Sequence, residues 1–306
     1  MVRPEGLLGD VVLVGRARDL STSEEGGASV LGEAGFLARV AFAPDRTVVG
    51  LRTQPFEPGA AALVGIRTSA GFRRQLDRVL PEHRESRSLL YLLLDDLPVV
   101  TLVSGYALGA GGVRLPAGRR VAFLADLCAG WRTGGTMMTE VESSGQVPSA
   151  TGPIAASLQR GDDPLAWHEF GPLPAHGMRR HRRLDLVYDG RFVADTLLRD
   201  THMAENGSET IVHEYTVHAE IDAAALRFED IAATAHVLPF IECEDAAASA
   251  RRLVGRAITD LRAHVRDEFT GASTCTHLND TLRSLEDVAT LVTQPTQLRQ
   301  FRTNSA

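Results

Sequence analysis

Six consecutive residues, Cys275-Thr276-His277-Leu278-Asn279-Asp280, bring a thiol, an imidazole and a carboxylate into one short stretch. A helix beginning here, with Thr274 as its cap, puts Cys275 at or just inside the N-terminus. Free backbone N–H groups and the helix dipole lower a thiol pKa at that position. His277 lies two residues on and points away from Cys275 around the helix. His277 and Asp280, three apart, meet on one face, where a carboxylate can orient an imidazole. The competing structural account makes Cys275 a small buried hydrophobe and His277 a capping residue.

A second imidazole, His213, falls in the alternating run Ile211, His213, Tyr215, Val217, Ala219, Ile221, which predicts a strand with these residues on one face. Burial of an imidazole demands a partner, and a core histidine held by one hydrogen bond meets that demand as well as a working one. Glu214 and His218 fall on the opposite face. The catalytic candidates are therefore His213, Cys275, His277, Asp280 and Glu214. Cys243, with Cys275, His277 and His213, would make a four-ligand zinc-type set, although no pair has C-x-x-C spacing. Arg199-Asp200 recurs upstream as Arg18-Asp19, which favours a structural ion pair over catalysis. Trp131 and Arg132, in a glycine-flanked stretch, suit a pocket wall for a planar or carboxylate-bearing ligand, as do Trp167 and Tyr215. A surface loop anchored by a buried Trp explains the same letters.

Composition narrows the chemistry. The 306 residues carry a net charge of −7, and every one of the 32 basic residues is Arg. Without Lys there is no Schiff base, no pyridoxal enzyme and no G-x-x-x-x-G-K-[ST] phosphate loop. The acidic balance disfavours general nucleic-acid binding. Three cysteines are too few for a disulfide framework and fit a reducing cytoplasm. Met1 to Asp10 lacks a signal-peptide pattern. The apolar stretch Leu89 to Leu108, broken by Asp95, Asp96 and Pro98, reads as buried and not as a membrane span.

The elements that position these residues repeat along the chain. At an offset of 181, Gly9 falls on Gly190, Val12 on Val193, Arg18-Asp19 on Arg199-Asp200, and Glu33 on Glu214. Ala38 falls on Ala219, Arg46 on Arg227, Thr53 on Thr234 and Pro58 on Pro239. After an insertion at Phe240 to Ala248 the match resumes at Leu63-Val64-Gly65 and Leu253-Val254-Gly255. Each copy predicts strands (Val11 to Arg18, Gly35 to Phe42, Thr47 to Thr53; Phe192 to Arg199, Ile211 to Ile221, Leu226 to Val237). Helical periodicity follows at Gly71 to Leu80 and at Ala246 to Phe269. The expected fold is α+β: a tandem duplication of a small antiparallel meander with helices, pseudo-twofold, with a Gly/Pro-rich middle segment. The expected parts are 1–105, the middle segment 106–180, and 181–306. Where the second copy has His213, Cys275 and His277, the first has Gly32, Leu89 and Tyr91, so a single working site is expected in the second.

The second half resembles the bacterial domain-of-unknown-function family numbered 2889, through an Arg-rich strand (Met178 to Leu186), His213-Glu214-Tyr215, Pro239 to Cys243, and Cys275-Thr276-His277-Leu278. The resemblance covers about Met178 to Val292, and Gly130-Trp131-Arg132 is similar to its longer, actinobacterial-type members. Glu214 stands where many members have Asp, and Thr274 where many have Gly. The family implies no activity. The leading expectation is a cytoplasmic enzyme of small-molecule metabolism, of hydrolase, lyase or isomerase type, using acid/base or metal-assisted chemistry in one pocket. A non-catalytic binding or accessory subunit is the alternative. No cofactor is required, a bound metal is allowed, the partner is a small-molecule substrate, and an oligomer is compatible.

Overall fold

The computed structural model describes residues 1–23, 25–113, 125–144 and 147–293. The chain divides into two units: Met1–Leu108 with Ala156–Met178, and the described residues of Gly109–Ala155 with Arg179–Ala306. The segment 106–180 is thus shared between them. The fold is α+β with antiparallel sheets.

In the first unit, alternating apolar residues build β1 (Val11–Thr22), β2 (Ala28–Ala41) and β3 (Thr47–Gln54), hydrogen-bonded in that order. Val11, Leu13, Ala38, Val40 and Val48 face a core made with helices α1 (Phe72–Val79), α3 (Leu89–Asp95) and α4 (Leu97–Val103), while α2 (Pro81–Glu85) buries none of its residues. The apolar stretch ends in α5 (Tyr106–Ala110). Among the described residues no single helix is long and apolar enough to cross a membrane.

The second unit carries α6 (Thr136–Ser144) and a sheet ordered β4 (Met178–Tyr188), β5 (Phe192–Met203), β6 (Glu209–Ile221) and β7 (Phe228–Val237). Its inner face, including Ala194, Leu198, Tyr215 and Val217, packs on α7 (Leu261–Glu268), α8 (Thr276–Ser284) and α9 (Val288–Leu291). Proline-flanked backbone from the middle segment lies beside the start of β6: the Ile211 N–H donates to the Pro153 carbonyl at 2.9 Å. Gly152 is needed there, because a Cβ would stand 2.0 Å from the Ile211 carbonyl oxygen.

The registers of the two sheets coincide at the offset of 181. Val11 pairs Val40 as Phe192 pairs Ile221, and Asp19 pairs Gly32 as Asp200 pairs His213. Both hairpins shift register at the same step, Asp19/Leu20 and Asp200/Thr201. Beyond β2 and β6 the correspondence slips by one. Arg46 matches Leu226 and not Arg227: both adopt positive φ (60° and 50°) and accept the N–H of Thr68 and Ile258 respectively. The expected single helical run Ala246 to Phe269 is broken into a 3-10 helix over Ile241–Leu253, a 3-10 turn over Ile258–Asp260 and then α7. Gly255 (φ 79°) breaks it and lets Arg256 and Ala257 return alongside β7, as Gly65 does in the first unit.

Candidate functional site

The candidate centre is built on β5, β6 and α8. Period-2 geometry puts Asp200 on the same side of β5 as Phe192, Ala194 and Leu198, all buried. His213, directly opposite Asp200 on β6, projects to the same face. α8 then lays His277 over His213: the rings stack at 3.6 Å between centroids with 21° between planes. His213 Nδ1 lies 3.4 Å from Asp200 Oδ2, and His277 Nε2 lies 4.0 Å from the same oxygen. One ligand atom from each of Asp200, His213 and His277 falls within 4.8 Å of the others. Both facing imidazole nitrogens are buried and have no hydrogen-bond partner among the described residues. Leaving such an atom unsatisfied costs about 1–3 kcal/mol.

Arg180 on β4 holds the carboxylates. Its Nε and Nη2 donate to the two oxygens of Asp200 at 2.7 and 2.8 Å, and Nη1 donates to Asp280 Oδ2 at 3.0 Å. Burial drives the Asp200 carboxyl upward. The Arg180 charge and hydrogen bonds, with His213 and His277, outweigh this and hold it below the usual carboxylate range. For His277, burial and then the neighbouring His213 push the pKa well down, so the ring is neutral. Its Nδ1 edge faces Cys275 Sγ at 3.7 Å and Thr276 Oγ1 at 3.4 Å. A proton on Nδ1 directed to these acceptors leaves a lone pair on Nε2.

Residues 178–291 match the family described as Protein of unknown function (DUF2889). The DUF2889 segment runs from β4 to α9 and contains Arg180, Asp200, His213, His277 and Asp280. No curated protein and no solved structure shows significant similarity to the chain.

Within the DUF2889 segment several expectations are revised. Cys275 is the N-cap of α8, but its side chain makes no cap bond, and burial pushes its thiol up, not down. Desolvation of a fully buried thiolate exceeds the dipole effect. The extended backbone at Cys275 (φ −128°, ψ 130°) also brings its sulfur toward His277. Thr274 does not cap α8: its hydroxyl donates to the Gly271 carbonyl at 3.0 Å. Asp280 is held by Arg180, and the carboxylate facing His277 is Asp200. Arg199 pairs with Glu214, not with its neighbour Asp200, because adjacent strand residues point to opposite faces. Asp200 and Arg180 were therefore missed, although Asp200 shares the parity of the inward residues of β5.

The other candidates lie elsewhere. Tyr215 is fully buried, and its hydroxyl sits beside the Cys275 thiol. Cys243 and Cys128 are buried free thiols in the same unit; burial first, then the neighbouring cysteines, raise both, Cys128 to about 12. Cys243 is not among the three residues whose ligand atoms cluster. Trp131 is half-buried, and Arg132 pairs with Asp245 at 3.0 Å. Trp167 belongs to the first unit, where its carbonyl accepts from Arg18 at 2.9 Å. A recess of about 550 Å³ in the second unit is lined by Gly134, Thr136, Pro148, Phe240 and Glu242, among others, and includes none of the three clustered residues.

Proposed function

We propose that the chain is a cytoplasmic small-molecule enzyme of hydrolase, lyase or isomerase type, working at Asp200, His213 and His277 by acid/base or metal-assisted chemistry. The observation that carries this reading is the pair of stacked imidazoles whose buried nitrogens face one ionised carboxylate. Polar atoms held in low dielectric without partners are costly for stability, and such costs concentrate at working sites. The side chains of His213 and His277 are 10% and 12% exposed, while their facing nitrogens are buried. The two units are read as products of a tandem duplication, supported by the shared register, the shared bulge step and the matched positive-φ residues. In this reading the second copy alone carries the reaction.

A second reading, a ligand-binding or accessory module, is favoured by the recess lying away from the histidines. The deciding experiment incubates purified protein with a small-molecule extract and follows the mixture by mass spectrometry. The enzyme reading expects at least one metabolite to be consumed and another to appear with time, at a rate reduced about 100-fold or more in His213→Ala. A metabolite retained equally by both proteins, with none converted, would establish the binding module instead.

A further inference from the structure

We propose that Asp200, His213 and His277 bind one divalent first-row transition-metal ion through Oδ2, Nδ1 and Nε2. This deepens the reading above and uses the same residues, but it concerns ion binding and not turnover.

Two observations point to it. The first is spacing. An ion held at about 2.0–2.2 Å keeps its ligands about 3.0–3.6 Å apart. The two imidazole nitrogens already stand 3.4 and 4.0 Å from Asp200 Oδ2. The second is the state of the donor atoms: both nitrogens are buried without a hydrogen-bond partner among the described residues, and Oδ2 accepts from Arg180 Nη2 at 2.8 Å, which leaves it further acceptor capacity.

The surroundings act as metal sites require. Arg180 fixes the Asp200 carboxylate, and Cys275 Sγ with Thr276 Oγ1 fixes the outer edge of His277. Two imidazoles and one carboxylate form a borderline N/O set suited to Zn(II), Fe(II), Co(II) or Mn(II), and three protein ligands leave positions open for water or substrate. Ion binding requires the two rings to fan out of their 21° stack, because each nitrogen lone pair lies in its ring plane. The buried thiols lie outside the ligand set.

The test uses the full chain, stripped by chelator and dialysed, then titrated with Zn(II) and Co(II) by calorimetry and visible absorption. One equivalent is expected, without Co(II)–thiolate charge-transfer absorption. His213→Ala and His277→Ala each weaken binding about 100-fold or more. His218→Ala, an exposed β6 imidazole paired with Asp195, leaves it unchanged. Should an alanine variant fail to fold, ring-nitrogen NMR of the wild-type protein reads the same point, since Zn(II) must shift the His213 and His277 signals and no other histidine's. The inference is overturned by absence of a bound equivalent, by binding that survives both histidine variants, or by binding lost in Cys243→Ala alone. Metal bound at this site by a protein that converts no metabolite would retain the ion and discard the enzyme reading. Turnover by the metal-free protein would do the reverse.

Discussion

In the first unit Asp19 stands opposite Gly32, and in the second Asp200 stands opposite His213, each just before a register shift at the same step of its hairpin. A Cβ on Gly32 would meet Leu89 at 3.9 Å. Leu89 therefore approaches Gly32 as His277 approaches His213, and the helix match is Leu89 with His277, not Tyr91 with His277. The buried runs agree with this: Leu90, Leu94, Leu97 and Val100 follow the same spacing as Leu278, Leu282, Leu285 and Val288. The outer faces diverge as well. Val14 lies opposite Leu37, both exposed, where the second sheet has Asp195 opposite His218, joined at 2.8 Å. All three cysteines belong to the second unit. One backbone plan thus carries an apolar pair and a polar centre at matched positions. Register decides where side chains meet, and residue type decides what they do there.

The contrast can be tested from its largest consequence downward. Because every thiol lies in the second unit, alkylation reports on that unit alone. A thiol held near pH 12, as Cys128 is, is thiolate in about one molecule in ten thousand at about pH 8, and the fraction grows only as pH rises toward 12. Iodoacetamide should therefore label the native protein about 1,000-fold or more slowly than the urea-unfolded chain. Rapid labelling of all three thiols in the native state would contradict their burial.

Next in size is Arg180→Ala, which strands Asp200 and Asp280 in a site where their side chains are 0% and 1% exposed. The expected loss is about 3–5 kcal/mol, read as a lower urea midpoint of the transition that exposes the thiols. A contrasting change in the first unit, Arg39→Ala, removes an exposed arginine from Glu5 and Asp10 and should leave that unit's midpoint nearly unmoved. Equal effects would show that the two units do not differ in how they bury charge. The smallest effect belongs to the double change Val14→Asp with Leu37→His, which copies the second sheet's outer pair into the first. Both sites are exposed, so stability should shift by no more than about 0.5 kcal/mol. A shift several times larger would mean that the apolar pair supports its unit.

Much of this arrangement was legible in the letters. Alternation located the inner face from Ile211 to Ile221, and self-similarity placed the two sheets in register. The pairing of His213 with His277, 64 residues apart, followed from their chemistry and not from any local signal. Asp200 was hidden because its neighbour Arg199 offered an obvious partner. Only strand parity, which sends adjacent side chains to opposite faces, separates the two. The thiol pKa was misjudged for a related reason: a helix start is visible in sequence, but the depth of its burial is a property of packing. The one-residue slip after β2 and β6 arises from turn residues at positive φ, Arg46 and Leu226, which no periodicity marks.

His213 sits between two register shifts, one against β5 at Asp200/Thr201 and one against β7 at Glu214/Tyr215. A strand that slides by one residue turns its whole set of side chains over. Here sliding would send His213 outward and Glu214 into the core. The two bulges act as mechanical stops on either side of the imidazole. The tip of the hairpin, from Ala204 to Ser208, is thereby uncoupled from the centre. Lengthening or shortening that tip should be absorbed at the nearer stop, which makes it the natural place to graft a loop or a reporter without moving the histidines.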